Sequence, residues 1–186
     1  DEATAILAGD ALQTLAFQVL ARDEDIPGGP GARLEMLSTL AIAAGSRGMA
    51  GGQALDLEAE RRALDLPRLE HIHIHKTGAL IRAAVRLSVL AAPNLHDGLA
   101  ERLDRYAKCL GLAFQIRDDI LDVIGQTAVI GKTRGKDQAH QKATYPALMG
   151  IEGARQAAED LITEAQESLE PFGEGAAPLR LLADFM

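Results

Sequence analysis

The chain has 186 residues, with 27 acidic against 19 basic side chains and a formal net charge of −8. That balance argues against a protein that binds nucleic acid by general neutralisation of phosphates. Apolar residues make up 47% of the sequence, which excludes disorder by composition, and the length predicts a single domain over 1–186. Ala, the best helix former, occurs 33 times and aromatic residues are only 3%, so the composition predicts an all-α fold.

Proline and glycine divide the sequence into long segments, none of which alternates as a strand does. Long helices joined by short breaks indicate a helical bundle. The predicted helices cover 1–22, 32–60 (with 45–52 able to interrupt it), 65–92, 95–124, 146–169 and 179–186. The segments 27–31, 125–142 and 171–178 are predicted to be loops or turns.

The single cysteine, Cys109, cannot form an internal disulfide, so nothing indicates an oxidising compartment. We expect it to be a small buried apolar residue. No uncharged apolar run reaches the roughly 18 residues that a membrane span needs, and the first residues do not resemble a signal sequence. We therefore predict a cytoplasmic protein with no membrane span.

The most informative motif is an acidic cluster inside an otherwise apolar helical segment. Asp118 and Asp122 are four residues apart and share one helix face, while Asp119 lies about 100° around the helix. A hard cation such as Mg²⁺ would relieve the repulsion between these carboxylates, and Mg²⁺ favours one or two carboxylates together with substrate phosphates. The alternative is a solvated acidic stripe.

Ten residues further on, the segment 131–142 is basic within an acidic chain. Its cations suit a metal-bound polyanion, because lysines neutralise phosphate oxygens that the metal does not reach. A solvated basic loop is the alternative. The cations are Lys132, Arg134, Lys136 and Lys142.

A third motif, His75-Lys76-Thr77-Gly78, lies inside a predicted long helix. Thr can bond back to a carbonyl one turn earlier and Gly weakens a helix, so we predict a local distortion there. Such a distortion would turn backbone carbonyls and Lys76 toward a cavity. The alternative is an ordinary helix with Lys76 in solvent.

The glycine-rich run from Gly48 to Asp56 follows no strand, which excludes a dinucleotide-binding fingerprint. We expect close approach of two helices there, with Gln53 and Asp56 facing inward.

At these motifs the sequence resembles the trans-isoprenyl diphosphate synthase family, most closely its bacterial short-chain farnesyl members. The matching stretches occur in the family's order and cover nearly the whole chain. They are GDALQTLAF (9–17), GMAGGQALDL (48–57), HKTGALIRAAVRL (75–87), GLAFQIRDDILDV (111–123), GK (131–132) and KATYPALMG (142–150).

The resemblance implies an all-α prenyl synthase fold around a central cavity, usually homodimeric, with its N-terminal helices missing from this chain. It implies Mg²⁺-dependent condensation of an allylic diphosphate with isopentenyl diphosphate. Asp118, Asp119 and Asp122 match the family's second aspartate-rich motif, which binds the metal. Residues that match its diphosphate-binding and cavity positions are Lys76, Thr77, Gln115 and Lys132, with Lys142 added as a substrate ligand.

The family's first aspartate-rich motif and the arginine pair after it do not occur in this sequence, and the resemblance places them before Asp1. The chain is therefore expected to be the C-terminal part of a synthase, and the pure 186-residue chain is expected to show no turnover of radiolabelled isopentenyl diphosphate. The effect of Arg117, beside the metal motif, is open. The alternatives are a non-catalytic helical subunit of the same fold and a geranyl or geranylgeranyl diphosphate synthase; a terpene cyclase is disfavoured by the few aromatic residues.

Overall fold

The structure is a computed structural model that describes residues 1–60, 62–92, 94–130 and 143–186. Within these ranges it contains α-helices and no strand, which confirms the all-α prediction. The α-helices are α1 (Glu2–Arg22), α2 (Gly29–Ala44), α3 (Met49–Ala59), α4 (Leu66–His73), α5 (Ala79–Leu90), α6 (Asp97–Ile130), α7 (Tyr145–Met149), α8 (Ile151–Ser168) and α9 (Ala177–Phe185). A π-helix (Ile74–Gly78) joins α4 to α5, and a 3₁₀ segment (Glu170–Ala176) precedes α9.

Helices α1 and α4 begin at short acidic side chains that cap them. The Asp1 carboxylate accepts a hydrogen bond from the Thr4 amide at the start of α1 (2.8 Å). The Asp65 carboxylate accepts from the Arg68 amide at the start of α4 (3.1 Å), with Pro67 in the first turn. These bonds satisfy amides that have no partner inside the helix, so the predicted start at 65–67 is confirmed.

Several predicted boundaries differ from the structure. Helix α2 already begins at Gly29, inside the predicted loop 27–31. Helix α6 continues through Gly125 to Ile130, because one glycine costs a helix only about 1 kcal/mol relative to Ala. The predicted helix 146–169 is two helices, since Gly150 at φ +79° takes a conformation that ends α7 before α8 begins.

The core forms where α6 packs along α8, in two clusters. One joins Tyr106 and Leu110 of α6 to Leu169 and the C-terminal segment, and it contains Cys109. The other joins Leu69 of α4 to α6, α7 and α8. Cys109 is buried, as predicted. Burial, followed by the Glu164 carboxylate beside it, raises the pKa of its thiol to about 12.

Helices α5 and α6 are joined by a two-bond ion pair between Arg82 and Asp104. The guanidinium Nε and Nη2 atoms donate to the two carboxylate oxygens at 2.9 and 3.1 Å, and the Lys108 ammonium lies 2.9 Å from one of them. Burial acts to raise the pKa of Asp104, but the hydrogen bonds and charges of Arg82 and Lys108 outweigh it and the pKa is lowered.

Replacing Asp104 with Asn should lower the free energy of unfolding by about 0.5–1 kcal/mol at pH 7, because the pair is partly exposed and solvent screens it. Since the folded-state pKa of Asp104 is the lower one, its contribution is present above the unfolded pKa and is lost as the pH falls through the folded pKa. Urea titrations at pH 7 and pH 3 measure both effects. Glu101→Gln, an exposed change on the same helix, is the control; equal stability of the Asp104 variant and this control at pH 7 would contradict the assignment.

Helix α1 packs against α2 and none of its residues is buried. Large apolar side chains therefore stay exposed along it, among them Ile6, Leu7, Leu12, Leu15 and Val19. By length and composition alone this helix could cross a membrane, which the prediction of no membrane span did not anticipate. An apolar helix that packs against protein meets the same criterion.

Candidate active site

The distortion predicted at His75–Gly78 is present as a π-helix over Ile74–Gly78. One residue more than a regular α-turn is accommodated there, which shifts the backbone hydrogen-bonding pattern; such bulges occur frequently at functional sites. Lys76 and Thr77 lie within this turn and are half-buried. The prediction of an irregular helix carrying Lys76 is thus confirmed, and Lys76 does not lie free in solvent.

Glycines on both sides let the neighbouring helices approach the π-turn. A Cβ on Gly52 of α3 would lie 2.1 Å from the Lys76 backbone nitrogen, far inside any allowed contact. A Cβ on Gly111 of α6 would lie 3.3 Å from the Gly78 Cα atom. The expected close approach of helices at 48–56 is confirmed.

Of the two polar residues expected to face inward from α3, the structure supports one. Asp56 is partly buried and its Oδ2 accepts a hydrogen bond from Lys76 Nζ at 2.6 Å. Gln53 is exposed. It follows Gly52 directly, about 100° further around the helix, so it points away from the π-turn when Gly52 faces it.

The aspartates of α6 divide into two kinds. Asp118 and Asp122 are exposed on one face of the helix, as predicted. Asp119 is buried, and its Oδ2 accepts a hydrogen bond from the Tyr145 amide at 2.9 Å. Within the described ranges no three His, Cys, Asp or Glu side chains gather as a metal site. Two of the predicted ligands are therefore exposed and the third is turned inward, and the assignment of Asp118, Asp119 and Asp122 to a metal stays a prediction.

The exposed pair still fits magnesium. Asp118 and Asp122 offer carboxylate oxygens to solvent from one helix face, and Mg²⁺ is held in proteins by one or two carboxylates with water and phosphate completing its octahedron. The chemistry of the donors therefore suits a metal that arrives with a diphosphate.

Tyr145 links the metal motif to α4, and sequence reasoning did not single it out. Its hydroxyl donates to Glu70 Oε1 at 3.1 Å, its amide bonds Asp119, and its ring stacks on His73 at a centroid distance of 5.7 Å. Burial, then the charge of Glu70, raises the pKa of the Tyr145 hydroxyl, so it stays a neutral donor. The Thr-Tyr-Pro sequence is the signal for its position: Thr144 caps α7 and Pro146 lies in its first turn.

Lys76 and the carboxylates lie on packed elements, with Asp118 about two helical turns along α6 from the point where the π-turn meets it. Gly111 of α6 meets Gly78 at the end of the π-turn, and the buried Gln115 follows one helical turn later. Asp118 comes about 10 Å along α6 from Gly111, at a rise of about 1.5 Å per residue. Because α5 and α6 run antiparallel, this direction leads back toward α4, where Tyr145 joins Asp119 to Glu70.

Several clefts lie near these residues in the part of the chain that the structure describes. One of about 920 Å³ runs between α2, α5 and α6 and has none of the predicted site residues in its wall. A cleft of about 560 Å³ has Asp118 in its wall beside Phe114 and Arg117. Lys76, Thr77 and Gln115 line neither of these clefts, so we assign the site from the chemistry of the carboxylates and the packing of the π-turn on α6, and not from a cleft.

The predicted basic ligands Lys132 and Lys142, together with the rest of 131–142, lie outside the described residues. Their predicted contacts with a diphosphate stay predictions.

Comparison with known proteins places these features in a family. The chain is 54% identical over its whole length to farnesyl diphosphate synthase of Escherichia coli, of which it covers 63%. A solved FPP/GFPP synthase from Zymomonas mobilis matches the whole chain with a TM-score of 0.82 and 39% identity, over 61% of that protein. A geranyltransferase from Helicobacter pylori, solved with magnesium and isoprenyl diphosphate, matches 98% of the chain with a TM-score of 0.73 and 34% identity, over 58% of that protein.

The chain thus spans less than two thirds of the length of these relatives. We predicted that it matches their C-terminal part, and this stays a prediction. A family model for polyprenyl synthetases matches residues 1–172, nearly the whole chain. This match and the identity to the E. coli enzyme show that the chain belongs to the polyprenyl synthetase family.

Proposed function

We propose that the protein is a prenyltransferase that condenses an allylic diphosphate, dimethylallyl or geranyl, with isopentenyl diphosphate to give farnesyl diphosphate. The observation that carries this proposal is the 54% identity to a farnesyl diphosphate synthase over the whole chain. The half-buried Lys76 on a π-turn, packed against the helix that bears Asp118 and Asp122, supports it.

The reaction breaks the allylic C–O bond and leaves a carbocation and a diphosphate. Asp118 and Asp122 would hold Mg²⁺, which supplies positive charge to the departing diphosphate oxygens when bound. Lys76 and Lys132 would neutralise further charge on those oxygens as point charges. Asp119 keeps the acidic turn in place through the Tyr145 amide.

We assign the stabilisation of the positive charge, on the carbocation, to the π-turn. A carbocation is stabilised by oxygen lone pairs, and we assign the Thr77 hydroxyl, the backbone carbonyls of the π-turn and the Gln115 amide oxygen to face it. Such a cation must be kept from water until it reacts.

The test is product analysis with the natural protein as its gene encodes it. With radiolabelled isopentenyl diphosphate, geranyl diphosphate and Mg²⁺, we expect a farnesyl-length product that EDTA abolishes. A geranylgeranyl-length product would correct the chain length alone. No product at any Mg²⁺ concentration would instead favour a non-catalytic subunit of the same fold.

We further propose a cytoplasmic homodimer. The exposed apolar side chains of α1 support an interface there, because a 21-residue helix with no buried residue leaves its apolar surface to water. Sedimentation equilibrium should give twice the chain mass; the mass of one chain at micromolar concentration would contradict this.

A further inference from the structure

One face of α3 touches both ends of Lys76. Gly52 lies against its backbone nitrogen, where a Cβ would be 2.1 Å away, and Asp56 bonds its ammonium at 2.6 Å. The two residues are four positions apart, so they lie one above the other on the same side of the helix. The glycine fixes the distance of the π-turn from α3, and the carboxylate fixes the direction of the lysine side chain.

We propose that Asp56 is a positioning residue. Together with Gly52, it holds the Lys76 side chain in the orientation in which its ammonium binds the diphosphate of the substrate. The inference rests on the function proposed above. A lysine has a flexible four-carbon stem, and its ammonium would otherwise sample many positions. The pair is only 27% and 17% exposed, so solvent screens it less than it screens the surface pairs of this chain.

The charge of Asp56 gives this role a kinetic signature. Its carboxylate repels an incoming diphosphate, so removing the charge does not weaken substrate binding. It does release Lys76, and misplacement of a reacting group by about 1 Å can cost about 100-fold in rate. Asp56→Asn should therefore lower kcat by about 10- to 100-fold while leaving the KM for the allylic diphosphate unchanged or lower.

A double-mutant cycle tests whether Asp56 acts through Lys76. In the natural protein, Lys76→Gln should lower kcat at least as much as Asp56→Asn, and the double variant should be no slower than Lys76→Gln alone. Asp56→Glu, which keeps the charge, should restore part of the rate. Glu58→Gln is the matched control, since Glu58 lies on the same helix, is exposed and pairs only with the nearby Arg62 among the described residues. The proposal would be overturned if Asp56→Asn lowered kcat by the same factor in the wild type and in the Lys76→Gln variant. A raised KM with unchanged kcat would also overturn it.

Amide hydrogen exchange separates this inference from the proposed function. Asp56→Asn should speed exchange in the π-turn 74–78 several-fold more than Glu58→Gln does, whether or not the protein is active. Gly52→Ala should do the same, because its methyl group must displace the π-turn, whereas Gly31→Ala, with open space around it, should not. If the wild type is inactive but shows this exchange pattern, only the proposed function is contradicted. If the wild type is active and exchange in 74–78 is unchanged in both Asp56→Asn and Gly52→Ala, only the positioning role is contradicted.

Discussion

Replacing Asp118 with alanine should slow the proposed condensation reaction by a factor of about 100 or more while leaving the fold intact. The carboxylate is exposed, so its loss removes little packing. It is also one of the two that would hold magnesium at the leaving group, and loss of one group that stabilises developing negative charge costs about 100- to 1,000-fold in rate. Steady-state kinetics at saturating Mg²⁺, with thermal unfolding of the same sample, measure both effects.

Two further variants make this result specific. Asp122→Ala should show a similar loss, because Asp122 shares the helix face of Asp118. Glu167→Ala removes an exposed carboxylate from α8 and should leave the rate unchanged. A near-normal rate for Asp118→Ala would show that Asp118 does not hold the metal, and the metal site would then have to lie elsewhere in the protein.

Replacing Tyr145 with alanine should lower the free energy of unfolding by about 3–5 kcal/mol. The side chain is 1% exposed, and deleting a buried aromatic ring leaves a cavity between α4, α6 and α8. The loss also frees the Glu70 carboxylate from its hydroxyl partner. Chemical denaturation of the variant measures the change.

Tyr145→Phe separates the ring from the hydroxyl. It keeps the packing and the backbone bond to Asp119, so it should cost only about 1 kcal/mol. Equal stability of the alanine variant and the wild type would show that α7 does not pack as described.

Much of the fold follows from local chemistry. The cap at Asp65 and the proline after it act within a few residues, so the sequence predicts the start of α4 correctly. The glycines within 45–52 likewise indicate where the helix predicted over 32–60 is interrupted. The irregular turn at 75–78 was likewise predictable from Thr and Gly inside a helix. The motif residues Lys76, Asp118 and Asp122 stand out because their residue types are rare in apolar segments.

What local pattern could not predict depends on contacts between distant residues. Asp119 is buried and its Oδ2 accepts a hydrogen bond from the Tyr145 amide, 26 residues later, which no local pattern around 118–122 indicates. The sequence predicts Gly150 to lie within one helix, and its φ of +79° in the structure shows that α7 ends there before α8 begins. The pairing of Asp56 with Lys76 needs α3 to lie against the π-turn, which the glycines permit and no periodicity specifies.

The central claim is that Asp118, Asp122 and Lys76 act on one magnesium-bound diphosphate. Calorimetric titration of the natural protein with inorganic pyrophosphate tests it most directly. Binding should require Mg²⁺, and the double variant Asp118→Asn with Asp122→Asn and the single variant Lys76→Gln should each weaken it by about 10-fold or more, as expected for lost charge-assisted bonds. Pyrophosphate binding that is unchanged in both variants at the same Mg²⁺ concentration would contradict a shared site.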